Sequence, residues 1–514
     1  MKRIFVSVLC LCLCVTAAAC GRPDVTPETS DLSVVSDVST TTTATTTTEE
    51  STTTTQETTT TTATTTLGRT TGGGNGGGYD CIGIPTRPTT TTTTTTVKPT
   101  TTTIQEQTVD LSAYALAQSA DVVNEKRVYD GYTDGLVGYY SRVLPAFLDG
   151  DSGSNRLCSP LSAYLALAML AETAAGNSRR QILDLLGEQD TDALGRRAAA
   201  LWNSVYSDKS GAQCRLANSL WLDEYTVPHC SVQTVDRLAD PYYASVFRGK
   251  MGTKEYDAIL QEWLNKNTGG LLKEQAGGES FPGNGAFSLV STIYFKVDWE
   301  KAFNEQKTRE RSFNTDSNQG VVQCDFMNDS TKNTYYWKGE EFIAINRTMN
   351  GNYSMWYVLP NEDVRVDNML HSQDVLGMVT GTGGGAQRIN CDLVTAVPKF
   401  DVTYKKDLSA DIRSLGATDV FDPMAADLTA LLGENAGKEA CVGGVSHAVR
   451  IVSEEKGVEA AAYTGITVAM KGTSTTTRVR PLIYFTADRP FMFVITGPDG
   501  SILFAGVIGN PTLK

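Results

Sequence analysis

Histidine is close to absent from these 514 residues: His229, His371 and His447 are the only three. Any reaction that needs an imidazole base must therefore run through one of three positions. The eleven cysteines contain no CxxC pair to hold zinc, and no metal or other cofactor is expected. Basic residues are outnumbered, 44 Lys and Arg against 58 Asp and Glu, which gives a net charge of −14 and a pI near 4.9. With no basic block interleaved with aromatics, nucleic acid is not an expected partner. The apolar run from Ile4 to Val15 is shorter than the roughly 20 residues that a spanning helix needs.

What is there begins with a leader. Lys2 and Arg3 precede the apolar run, and AlaAlaAlaCys at 17 to 20 closes it. This is the pattern of a secretion signal over residues 1–20, and its end resembles a bacterial lipobox, with Ala17 where leucine is commoner. Cys20 would then carry lipid as the first residue of the mature chain, and the protein would be extracellular and lipid-anchored to the bacterial membrane. Residues 21–108 are mostly Thr, Gly, Ser and Glu, with little to bury. They read as a disordered tether with a reach of roughly 50 Å. The glycine run at 72–78 has no strand before it or helix after it, so it is a linker and not a phosphate loop. Globular composition returns at Val109 and continues to Lys514 as one large domain, 109–514. Cys10, Cys12 and Cys14 lie in the leader, and the seven cysteines after Cys20 have irregular spacing that spells no disulfide framework.

The segment SEEKGVEAAAYT, Ser453 to Thr464, alternates in a way that suits a strand. At a two-residue period one face carries Val458, Ala460, Ala462, Thr464, Ile466 and Val468. No proline interrupts it before Met470, yet the following KGTSTTTRVR is polar and reads as an exposed loop. A strand that can be buried, joined to a bait-like loop, suggests conditional insertion into a sheet.

That segment resembles the hinge of the serpin family. The matching residues are Glu455, Gly457, Val458, Glu459, Ala460, Ala461 and Ala462, with Val458 where the family prefers a hydroxyl. Valine is uncharged and β-branched, so it still suits a sheet. The resemblance continues in family order through Asn155, Ser159, Pro160 and Ser162, then LANSLWLDE at 216–224, TIYFKVDWEKAFNEQKT at 292–308, SMWYVLP at 354–360, VPKFDVTY at 397–404 and the closing RPFMFVITGPDGSILFAGVIGNP at 489–511. Ser291 stands where the family usually has asparagine. The resemblance implies an α+β serpin fold of three β-sheets and about nine helices with a mobile reactive-centre loop.

GlyValSerHisAla at 444–448 partly imitates a nucleophile elbow, but Ala448 replaces the second glycine and no hydrophobic helix follows, so an enzyme is not expected. The resemblance instead places His447 where the central sheet opens, opposite Ser159 and Ser162. Local sequence makes those serines capping residues; the family role is to hold the sheet shut by hydrogen bonds. Trp299 and Glu455 match family positions where the hinge first enters. The implied function is suicide-substrate inhibition of a serine protease by a monomer. Counting from Gly457 by the family hinge length puts the reactive bond at Lys471–Gly472, which suits a trypsin-like enzyme. A one-residue slip gives Met470–Lys471, suited to an elastase-like or chymotrypsin-like one. The competing expectation is a non-inhibitory serpin acting as a surface binding or adhesion protein.

Overall fold

The apolar stretch after Pro160 fixes the centre of the molecule. Ser159 caps it, its Oγ accepting the Ser162 N–H at 3.3 Å, and Pro160 occupies the first turn, where a missing N–H costs nothing. Every residue of the helix Pro160–Thr173 is buried, so it must be wrapped on all sides. The computed structural model describes residues 8–19, 128–151, 153–269, 280–315, 320–455 and 480–513. All of them belong to one compact unit formed by Met1–Asp24 and Val109–Lys514.

Sixteen strands are described. They are β1 (Val8–Ala19), β2 (Arg156–Cys158), β3 (Ser207–Lys209), β4 (Ala212–Asp223), β5 (Ala244–Gly249), β6 (Gly285–Val297), β7 (Arg309–Asn314) and β8 (Val321–Lys338). There follow β9 (Phe342–Thr348), β10 (Ser354–Pro360), β11 (Gln387–Pro398), β12 (Phe400–Asp407), β13 (Ala440–Ser453), β14 (Leu482–Thr486), β15 (Phe491–Thr496) and β16 (Ile502–Ile508). Seven form a central sheet in the order β12-β13-β1-β6-β4-β3, with β5 paired to β4. The other nine form a network, β14-β11-β8-β9-β10-β15-β16-β2 with β7 on β8. Only Trp337↔Ala344 and Lys338↔Ile343 join β8 to β9, so this network falls into two sheets. Three sheets and ten α-helices among the described residues make the mixed α+β fold that the sequence led us to expect, with one helix more than the approximate count of nine.

Alternation along β6 shows how the central sheet is buried on both faces. Leu289, Ile293 and Phe295 enter the main core with the buried helix, while Val290 and Tyr294 join a second cluster under the helix Lys254–Asn267. Trp221 anchors that cluster, stacked on Phe247 at 4.1 Å and edge-on to Trp263. The turn from β15 to β16 is the ProAspGly signal. Gly500 sits at φ +83°, and a Cβ there would meet the Thr380 carbonyl oxygen at 2.6 Å, so only glycine fits. Asp499 ties the turn down by accepting hydrogen bonds from the hydroxyls of Tyr132, Ser204 and Ser501.

No helix among the described residues is long and apolar enough to cross a membrane, and no cluster of three or more His, Cys, Asp or Glu residues among them is arranged to hold a metal ion.

Candidate functional site

Two strands that a closed sheet would pair directly, β6 and β13, are instead separated by one strand. β1 runs antiparallel to both, from Val8↔Ile451 to Ala19↔Ala440 on one side and from Val8↔Phe295 to Ala18↔Gly285 on the other. The central sheet thus contains a slot one strand wide.

The middle of the slot is pinned to the buried helix. The Ser159 N–H donates to His447 Nε2 at 3.1 Å, and the Ser159 hydroxyl donates to the Leu503 carbonyl of β16 at 2.7 Å. The Ser162 hydroxyl donates to the Ser291 carbonyl at 3.1 Å and lies 3.5 Å from the Ser291 hydroxyl. One helix N-terminus therefore holds β13 through His447, β16 through Leu503 and β6 through Ser291. These bonds tie each flanking strand to the helix and persist with the flanking strands apart, so by themselves they do not clamp one strand to the other. Ser159, Ser162 and His447 come together as the sequence placed them, and the Ser291 carbonyl and hydroxyl complete the group.

His447 is 1% exposed, and its Nδ1 has no hydrogen-bond partner. Burial, helped by the Lys406 ammonium on the adjoining strand, pushes its pKa down to about 4 from the ordinary 6.5. A histidine held neutral when folded favours the folded state above pH 6.5, and that advantage is lost as pH falls from 6.5 through 4. His447→Gln keeps a hydrogen-bonding group but removes the titration. The wild type should lose on the order of 3 kcal/mol relative to this variant between pH 7 and pH 4, measured by urea unfolding at each pH. Parallel curves for the two chains would show that His447 titrates normally.

The upper mouth of the slot is built where β13 ends. The Trp299 indole N–H donates to the Glu454 carbonyl at 2.9 Å, and the Phe303 N–H donates to the Glu455 carbonyl at 3.0 Å. Trp299 lies past the end of β6 and bridges Met349. Arg347 lies over the Phe303 ring at 3.6 Å and is held by Asp329 at 3.1 Å. The Glu455 carboxylate accepts from the Thr308 hydroxyl at 2.6 Å and pairs with Lys399 at 2.8 Å. Burial alone would raise its pKa, but Lys399 and Thr308 outweigh that and hold it below the usual carboxylate range.

Lys399, Thr308, Phe303 and Arg347 are members of this mouth that the sequence did not single out. Three of them lie inside segments already matched to family blocks, but only the fold brings them to Glu455. Lys399→Ala should destabilise the chain at pH 7 by about 1–3 kcal/mol, since Glu455 would be left buried and unpaired while Lys399 itself is one-third exposed. Glu455 contributes stability above its ordinary pKa of 4.5, and this is lost as pH falls through its lower folded value, so the deficit should shrink in acid. Thermal melts at pH 7 and pH 3.5 check both signs.

On the far side of residues 456–479, the Arg480 guanidinium pairs with Asp392 at 2.9 Å and the chain enters β14, parallel to β11. The hinge residues Gly457, Val458, Glu459, Ala460, Ala461 and Ala462, both reactive bonds at Met470, Lys471 and Gly472, and the lipidation residue Cys20 lie outside the described residues.

A mixed fold of three β-sheets around a fully buried helix, with one strand lying between β6 and β13 in the largest sheet, defines the class of protein. The family model described as "Serpin (serine protease inhibitor)" matches residues 141–511, and the chain belongs to that family. It is 27% identical over 374 residues to Serpin-ZX of Arabidopsis thaliana, covering 70% of this chain and 92% of the relative. It is 28% identical over 371 residues to a serine protease inhibitor of Cyanea capillata, again covering 70% and 92%. Among solved structures, the thermophilic serpin tengpin in its native state superposes with a TM-score of 0.63 at 22% identity, covering 74% of this chain and 95% of tengpin, which supports the fold. The family is described as one of serine protease inhibitors, not of catalysts.

Proposed function

We propose that the chain is a suicide-substrate inhibitor of serine proteases that offers residues 456–479 as bait. The observation that carries this reading is the slot: one strand wide, flanked antiparallel by β6 and β13, with the chain clamped at its mouth by Trp299, Phe303 and Lys399 where the alternating segment begins.

In this reading the protease's serine oxygen adds to the carbonyl carbon of Lys471. The Gly472 amine leaves with a proton, and an ester joins Lys471 to the enzyme. The freed segment then enters the slot from Glu455 downward, with Val458 to Val468 pairing on both edges. Burial of Val458, Ile466 and Val468 contributes about 1.5–3 kcal/mol each, less the cost of ordering them. Insertion carries the attached protease away from the mouth and distorts it before water reaches the ester. The uncleaved chain is a kinetic trap that cleavage releases.

The leader and linker complete the proposal. Lipid on Cys20 anchors the domain to a bacterial membrane, and the threonine-rich tether lets it act at the cell surface as a monomer.

The test is to incubate the domain with a trypsin-like and an elastase-like protease and to sequence the released C-terminal peptide. An SDS-stable complex and a peptide beginning at Gly472 are expected; a peptide beginning at Lys471 moves the bond to Met470. Cleavage without complex by every protease, together with an unchanged melting temperature, would favour a non-inhibitory binding protein.

A further inference from the structure

The occupant of the slot is the leader itself. Strand β1, VLCLCLCVTAAA, has no charge and no proline, a composition that a doubly paired strand tolerates. It engages both edges of the gap over nearly its whole length, so its backbone donors and acceptors are satisfied from both sides. Neighbouring strands lie about 4.8 Å apart, and a gap that holds one strand has no room for a second. While β1 is in place, no other segment can enter.

Two details mark this pairing as an interim one. The register slips twice on each edge of β1, first between Leu11 and Cys14 against β13 and between Cys10 and Leu13 against β6, where β1 carries one extra residue, and again between Thr16 and Ala17 and between Ala17 and Ala18. The extra residue falls opposite His447 and Thr292, at the level where the flanking strands are tied to the buried helix. A bulge there disrupts the ladder at its most constrained point. The strand also ends at Ala19, the residue before Cys20, so cutting that one bond detaches the whole strand together with the seven residues before it.

We propose that residues 8–19 are an intramolecular plug that keeps the unprocessed chain from trapping proteases, and that removal of the leader arms it. An endopeptidase hydrolyses the Ala19–Cys20 bond, water adding its hydroxyl to the Ala19 carbonyl carbon and its hydrogen to the Cys20 nitrogen. Tethered through a linker with a reach of roughly 50 Å, the plug acts at an effective concentration far above that of the free peptide it becomes once detached. This inference rests on the reading that slot insertion traps the protease.

The test has two arms. In the first, full-length chain carries Thr16→Cys and Gly444→Cys, residues directly opposed in the register, with open space around a Cβ at Gly444. Mild oxidation should link 16 to 444 within one chain, identified by mass spectrometry of the joined peptides, and neither single variant should give that link. In the second arm, full-length chain is compared with a chain of residues 20–514, which retains the whole of the matched family region, 141–511. Complex formation with a trypsin-like protease should be at least about 100-fold slower for the full-length chain. Absence of the 16–444 link, or equal trapping by the two chains, overturns the plug. If the link forms and neither chain traps any protease, the inhibitor reading fails while the docked leader stands.

Discussion

Ala460→Arg should convert the proposed inhibitor into a substrate. Ala460 lies on the face of the hinge that alternation assigns to the sheet interior, together with Val458, Ala462 and Thr464. Both faces of the central sheet are covered, one by the main core and the other by the cluster under Lys254–Asn267. An arginine entering that sheet would bring an unpaired charge into an apolar layer, and the cost of burying such a charge exceeds what a few aliphatic side chains return. Insertion would stall near its start, and the ester would be hydrolysed. The protease should cut the variant at the wild-type bond and at a wild-type rate, while the number of inhibitor molecules consumed per enzyme inactivated rises from near one to roughly ten or more, as the balance between insertion and hydrolysis shifts by at least a kcal/mol or so. Titration of residual protease activity against each chain measures this directly.

Lys471→Ala should change the target instead of the mechanism. A trypsin-like pocket carries a buried carboxylate that pairs with a lysine or arginine side chain, and a pocket built for such a partner rejects a residue lacking it by about 10⁴-fold. Association with trypsin-like enzymes should fall by that order. Complexes with an elastase-like enzyme should persist, because alanine fits a small pocket and the hinge is untouched. If trypsin-like inhibition survives and the released peptide begins after Arg478 or Arg480, the bait bond lies further along the loop.

Part of this geometry is legible in the sequence because its residues carry local signals. Ser159 and Pro160 announce a helix start through capping chemistry, and the helix begins where they say. ProAspGly announces the β15–β16 hairpin, and Asp499 and Gly500 form it. Trp299 and Glu455, both placed by the resemblance where the hinge enters, lie at one mouth.

What was not legible depends on pairing across long stretches of chain. Nothing near Glu455 in sequence marks Lys399 or Thr308 as its partners, since β12 and the turn before β7 are brought to it only by sheet order. The neutral state of His447 follows from complete burial and from Lys406 on the neighbouring strand, neither of which a lone histidine in a sequence advertises. The leader was read for its export signal alone. A run of Val, Leu, Cys and Ala satisfies a translocation signal and a central strand equally well, because both ask for apolar, uncharged residues, and only the register with β6 and β13 separates the two roles.

In the proposed mechanism one slot, between β6 and β13, receives residues 458–468 after cleavage. Amide hydrogen exchange on the 20–514 chain, before and after a single cut at the bait bond, tests it most directly. Peptides covering 458–468 should exchange within seconds in the intact chain and become protected for hours once cut, with protection also rising along 285–295 and 440–451 on the two flanking strands. Unchanged exchange in all three regions after complete cleavage would contradict it.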